Sequence, residues 1–194
     1  KPRCTFNLRF VGMILEGLVT TIGKEGRIHV APMGPRVDSS MSHLLLRPYS
    51  TSQTCQNLLK HPEGVFHVTD DVTLIARGAI GLMDSPPNMP ASMVKGFILN
   101  ESCRAYEFKV VNADTSEDRV RLECEVVKVH RQRDFFGFNR AMFAVLEAAI
   151  LASRTAFLSL EQIEKEFTKL STLVQKTGSE KEAAAFSLLE QFVR

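Results

Sequence analysis

The stretch His43–Val68, HLLLRPYSTSQTCQNLLKHPEGVFHV, sets the reading of the whole chain. An apolar, strand-like run from His43 to Arg47 stops at Pro48. Five of the next six positions then carry hydroxyls: Tyr49, Ser50, Thr51, Ser52 and Thr54. A short helical pattern follows, QTCQNLLKH, with Leu58 and Leu59 expected inward and a stop at His61–Pro62. Gly64–Thr69 reads as another strand. Two physical roles fit such a turn. Ser and Thr are preferred caps, because their oxygens accept from the unpaired N–H groups of a first helical turn. The same N-terminus attracts anions, so the hydroxyls and Arg47 also make a candidate clamp for a phosphate group.

Upstream lies a predicted β-hairpin. Met13–Ile22, MILEGLVTTI, is apolar and β-branched; GKEGR makes the turn; RIHVAPMG, Arg27–Gly34, alternates up to Val30. Pro32 cannot donate to a sheet ladder, so this strand is expected to end or run at an edge. Backbone groups of Ala31, Met33 and Gly34 are then open to a flat heterocycle, or simply mark a strand end.

Downstream, Asp70 is expected to cap a helix through DVTLIARGAIG, stopped by Gly78 or Gly81. Met83–Met93 is proline-rich and reads as a loop. Arg104–Asp114 and Arg119–Arg133 form the clearest hairpin in the chain. Tyr106, Phe108 and Val110 share one face of its first strand. Val120, Leu122, Cys124 and Val126 share one face of its second.

After Asp134 the period changes. Met142, Val145, Leu146, Ala149 and Ile150 fall at helical spacing. Ser159 with Gln162, and Ser179 with Glu182, are capping-box patterns. Glu147 stands within the apolar helix, where a buried pairing is expected with Arg140, Arg154 or a second subunit. Residues 1–134 are therefore expected to be a β-barrel domain and 135–194 a helical extension, since several short strands must close or stack to hide their edges.

The 194 residues carry a formal charge of +2, with the basic residues dispersed, which argues against a nucleic-acid partner. No apolar stretch approaches the ~20 residues that span a bilayer. The opening KPRCTFNLRF lacks the apolar core of a signal peptide. Cys4, Cys55, Cys103 and Cys124 have no zinc-ligand spacing and read as reduced thiols of a cytoplasmic protein. The histidines show no metal-binding grouping, so no metal is expected. Cys55 sits where a helix N-terminus lowers thiol pKa, though packing is its commoner role.

The order TTIGKEGRIHVAPMG, then LLLRPYSTSQTCQNL, then GVFHV resembles the flavin-reductase-like FMN-binding split barrels. FGFNRAMFAVLEAAILASR, Phe136–Arg154, is similar to an uncharacterised branch of that superfamily with a helical C-terminal extension. The resemblance covers residues 13–154. It implies an α+β, mainly β fold: a Greek-key-like split β-barrel with C-terminal helices, usually a homodimer with FMN near the interface. It implies phosphate contacts from Arg47, Ser50, Thr51 and Thr54, with Asn57 supporting the turn and Tyr49 touching the ribityl chain or packing. It places the flavin ring against Thr20, Thr21, His29, Ala31, Pro32, Met33 and Gly34. Asn139 and Arg140 can reach the site from the first C-terminal helix, or serve as a cap and a surface charge. The implied function is that of an FMN-dependent oxidoreductase with a nicotinamide or other small redox partner. A non-catalytic FMN carrier or sensor, and a flavin-less interaction protein, fit the same residues. No residue is a clear catalytic acid.

Overall fold

The chain is described by a computed structural model over residues 12–83 and 85–194. The opening stretch 1–10 and Cys4 lie outside the described residues. Among these residues the strands are β1 (Met13–Ile14), β2 (Gly17–Ile22), β3 (Ile28–Met33), β4 (Arg36–Val37), β5 (His43–Leu46), β6 (Glu63–Val68), β7 (Asn88–Pro90), β8 (Phe97–Leu99), β9 (Arg104–Asp114) and β10 (Arg121–Arg131). The helices are α1 (Gln53–Lys60), α2 (Val72–Ala79), α3 (Arg140–Ala152), α4 (Leu160–Thr177) and α5 (Glu180–Val193).

Eight strands form one antiparallel sheet in the order β1-β4-β5-β10-β9-β6-β2-β3. Alternation turns Val19, Phe66, Phe108, Leu44, Leu46, Leu122 and Val37 to one face, and all of them join one buried cluster. Val19 and Val37 come from opposite ends of the sheet, so the sheet curls around its own core. Its end strands, β1 and β3, are not paired with each other. The result is a split barrel with helices, as the resemblance implies. Pro32 lies in the terminal strand β3, opposite Leu18, where its missing N–H costs no ladder bond.

The other face of β2 and β3 presents Leu18 and Val30 to a second core. There Val72, Ile75 and Ala76 of α2 meet Ala141, Ala144, Val145, Ala148 and Ala149 of α3, with Phe167 of α4 and Phe186 of α5. The alanines let neighbouring helices approach α3 closely. Ser159 and Ser179 both close capping boxes, as expected. None of the described helices is long and apolar enough to cross a membrane.

Five local expectations are corrected. Met13–Ile22 is not one strand: the Leu15 N–H donates to the Pro35 carbonyl at 3.1 Å, and β1 pairs with β4 instead. Asp71, not Asp70, caps α2, accepting from the Thr73 and Leu74 N–H groups. Asp70 is taken by Arg133 and the Phe136 N–H. Leu59 faces outward, since α1 rests on the barrel through Thr54, Cys55, Asn57 and Leu58. The proline-rich loop contains β7, which pairs with β8. Glu147 is exposed, because the apolar residues of α3 claim the opposite side.

Candidate functional site

Strand alternation and one short helix build the candidate site. Thr21 and His29 are directly opposite on β2 and β3, on the barrel face. α1 docks its first two turns onto that pair. The Asn57 side-chain N–H donates to Thr21 Oγ1 at 2.9 Å, and His29 Nε2 lies 3.2 Å from Thr54 Oγ1. Burial lowers the His29 pKa, which keeps the ring neutral and able to exchange one hydrogen bond with Thr54. Gln53 donates to the Asn57 side-chain oxygen, which fixes the amide orientation. Five residues from three elements thus form two neighbouring polar contacts at the start of α1.

Ser52 is the helix cap. Its hydroxyl accepts from the Cys55 N–H and donates to the Tyr49 carbonyl. Ser50 and Thr51, just before it, are exposed. Arg47 enters the turn from the end of β5. Its terminal nitrogen pairs with Glu117 at 2.7 Å and also donates to the Arg119 carbonyl, while its Nε is buried with no partner among the described residues. Arg119 donates twice to the Arg47 carbonyl and stacks on the Tyr49 ring, 4.9 Å from its centroid. Cys55 is fully buried and its thiol pKa is pushed up by burial, so it packs rather than reacts.

The structure brings Arg47, Ser50, Thr51, Thr54, Asn57, Thr21 and His29 into the α1 turn and its platform. Ala31 and Met33 continue the His29 face of β3, by alternation. Thr20 and Pro32 point the other way. Thr20 is buried and donates to the Phe97 carbonyl at 2.6 Å; Pro32 packs toward Gly78 of α2. Gly34 follows β3, and a Cβ there would lie 2.7 Å from Glu16 Oε1. Asn139 caps α3 through its oxygen and gives its amide N–H to the Thr177 carbonyl, so both ends are engaged. Arg140 is exposed at the start of α3.

Sequence reasoning passed over Glu107 and Glu16, and named His67 only as a weak candidate acid without placing it in the core. Glu107, fully buried on β9, accepts from the Ser92, Met93 and Val94 N–H groups, the Ser92 hydroxyl and His130 Nε2. Burial alone would raise its pKa; these donors outweigh it and bring it down to about 2. His67, also fully buried, accepts the Leu99 N–H at Nε2, so its Nδ1 carries the proton and faces the Leu18 carbonyl. Burial pushes its pKa down to about 4. Glu16 lies half-buried beside Gly34, just past β3. The available signal was an acid or histidine at an inward-alternating strand position. Among the described residues no group of three or more His, Cys, Asp or Glu is placed to hold a metal ion.

A family model described as the N-terminal domain of a protein of unknown function, DUF447, matches residues 15–133, and a second DUF447 model matches residues 139–191. The chain belongs to the DUF447 family. No curated protein matches it. Among solved structures it is similar to an FMN-bound DUF447 protein from Methanosarcina mazei, with 22% identity, a TM-score of 0.81, and 93% of this chain and 95% of that one covered. It is similar to the flavin reductase HpaC complexed with NADP+, with 17% identity, a TM-score of 0.55, and 65% and 82% covered. An FMN-binding protein from Thermus thermophilus follows at 17% identity and a TM-score of 0.51, with 68% and 77% covered. At these identities the DUF447 chain shares the fold of its neighbours, a flavin-reductase-like split barrel.

Proposed function

We propose that this protein binds FMN at the start of α1 and acts as an oxidoreductase with a nicotinamide or other small-molecule redox partner. The observation that carries the reading is the turn itself. Arg47 has a buried, unpartnered Nε at the start of the turn that carries the exposed Ser50 and Thr51 and leads into α1. That donor set fits a phosphate monoester. An orphaned guanidinium N–H is costly unless a ligand meets it. The FMN-bound Methanosarcina mazei neighbour supports the choice of cofactor, and the NADP+ complex of the flavin reductase supports the choice of partner.

In this reading Arg47, Ser50, Thr51 and Thr54 hold the phosphate, and Asn57 fixes the helix start through Thr21. Phosphate competes with Glu117 for Arg47; an exposed pair of that kind is worth about 0–1 kcal/mol and yields easily. Thr21, His29, Ala31 and Met33 form the wall for the ring. Thr20, Pro32 and Asn139 are left out, because each faces or bonds elsewhere. When bound, FMN supplies hydride or one-electron chemistry. The neutral His29 can donate or accept one hydrogen bond at Nε2 without adding charge beside it. We further read 1–134 as the FMN-binding barrel, 135–194 as its helical extension, and the protein as a cytoplasmic homodimer. Met13 and Ile14 on the end strand β1 are exposed, 71% and 55%, and offer an apolar edge to a second copy.

The test is an absorbance spectrum of the purified protein and mass analysis of what heat releases. Flavin bands with an FMN mass are expected, or uptake of added FMN with quenched fluorescence. Arg47→Ala combined with Thr54→Ala should weaken FMN binding at least about a hundredfold, from the loss of two hydrogen bonds, one of them charged. A wild-type protein that neither holds nor takes up FMN refutes the reading.

A further inference from the structure

On the helix-covered side of the sheet, a cleft of about 210 Å3 opens between β2, β3, α2 and α3. Pro32, Ile75, Leu146 and Ile150 give it aliphatic walls. Its floor is kept low by small residues. At Gly78 an added Cβ would stand 2.9 Å from Pro32 Cδ, so only glycine lets α2 come this close to β3. Ala79, one residue on, leaves space that a longer side chain would fill.

Among the described residues lining this cleft, Glu16 alone is charged. Its carboxyl is half-buried, and only burial and the charges of Glu147 and Arg154 act on it among the described residues. Burial raises its pKa, the charge of Glu147 raises it further, and Arg154 opposes them. Among the described residues Glu16 has no ion pair, so its carboxyl stands unpaired at the mouth of an apolar hole. A half-buried carboxylate without a partner is partly desolvated, and that cost falls when a cation meets it. The stacking of apolar walls beside a single unmet charge defines a ligand with an aliphatic body and one positive end.

We propose that this cleft binds a small organic ammonium ion, with its hydrocarbon part against Pro32, Leu146 and Ile150 and its charged head at Glu16. A neutral alcohol of the same shape meets the walls but leaves the carboxylate unpaired. A carboxylic acid of that shape is repelled by both Glu16 and Glu147. The site does not depend on the flavin reading: the hydroxyl turn and the cleft use different residues, and Pro32 points away from the His29 face of β3.

The experiment is calorimetric titration of the full chain at neutral pH with cyclohexylammonium, cyclohexanol and cyclohexanecarboxylate, each with and without added FMN. Cyclohexylammonium should bind, cyclohexanol at least tenfold more weakly, and the carboxylate not at all. Glu16→Gln, close to isosteric, should weaken the ammonium at least tenfold and bring it level with the alcohol. Ala79→Leu should abolish binding of both; Ile150→Phe is a second way to fill the cleft should the first variant not fold. Ammonium binding that survives Glu16→Gln or either filled cleft overturns the proposal, as does no binding to the wild type. Displacement of the ammonium by FMN would assign the cleft to the flavin and likewise overturn it. A protein that takes up no FMN yet binds the ammonium refutes the flavin reading and leaves the cleft intact.

Discussion

The two faces of the curled sheet both carry buried polar side chains, and they use them differently. On the barrel face Thr21 and His29 bond to side chains of α1, Asn57 and Thr54. On the outer face Thr20, His67 and Glu107 bond to backbone: the Phe97 carbonyl, the Leu99 N–H, and the N–H groups of Ser92, Met93 and Val94. The outer contacts satisfy a proline-rich segment that has only a three-residue ladder of its own, β7 with β8. Backbone groups in a buried loop must find partners, and here the sheet supplies them. The inner contacts satisfy no such debt; they position a helix start that faces an open hydroxyl turn. Outer polarity holds the fold, and inner polarity shapes a site.

Removing an outer partner should therefore cost stability first. Glu107→Ala strands three loop N–H groups and His130. Breaking a buried charged network typically costs about 3–5 kcal/mol, a fall in melting temperature on the order of 10 °C for a chain of this size. Thermal unfolding followed by circular dichroism measures it. A loss under about 1 kcal/mol would erase the distinction between the two faces.

Acid sharpens the same contrast through His67. Its pKa is about 4 in the folded protein against 6.5 for an unperturbed histidine. As pH falls below 6.5 the unfolded chain takes up a proton that the folded one refuses, so stability falls until about pH 4. The loss approaches about 3 kcal/mol. His29, lowered in the same direction, adds to it. Glu107 acts lower: its stabilising contribution is present above the ordinary glutamate range and is lost only as pH drops toward 2. Urea melts at several pH values should show the upper slope, and His67→Gln should flatten it. A slope unchanged in that variant would remove His67 from the account.

Much of this was legible before the structure. Hairpins, capping boxes and the edge position of Pro32 follow from local rules of period, cap and donor count. What was not legible needed long-range pairing. Thr20 and Thr21 read as neighbours lining one wall, yet strand alternation sends them to opposite layers, a consequence that becomes definite only when β2 is known to be covered on both sides. Glu107, within RAYEFKVV, looks like an outward charge until the loop at 91–96 is seen folded over it. Arg47 was readable as a phosphate ligand, but Glu117, seventy residues away, was not readable as its partner. Asp70 and Asp71 are both able to cap α2, and the choice falls to Arg133, two residues past the end of β10.

On the inner face the expected effects are smaller in stability and larger in binding. Asn57→Ala breaks the tie to Thr21 and leaves a buried hydroxyl with one partner fewer. A cost of about 1–2 kcal/mol is expected, together with weaker FMN uptake, because the helix start loses its fixed place over the hairpin. Differential scanning fluorimetry and FMN fluorescence titration read the two effects separately. A stability loss with unchanged FMN uptake would show these contacts to be structural like their outer counterparts.

The smallest effect on the fold, and the sharpest on the proposed site, belongs to Glu117. Its side chain is 66% exposed and its pair with Arg47 is the kind whose removal changes stability by less than about 1 kcal/mol. The pair nonetheless occupies a terminal nitrogen that a bidentate phosphate would share with the free Nε. Glu117→Ala removes the competitor and a negative charge together, so FMN affinity should rise by a few-fold while the melting temperature barely moves. The rise should shrink at high salt, where the lost repulsion was already screened. If affinity falls instead, Glu117 holds Arg47 in its working position, and the acid would be part of the clamp rather than its rival.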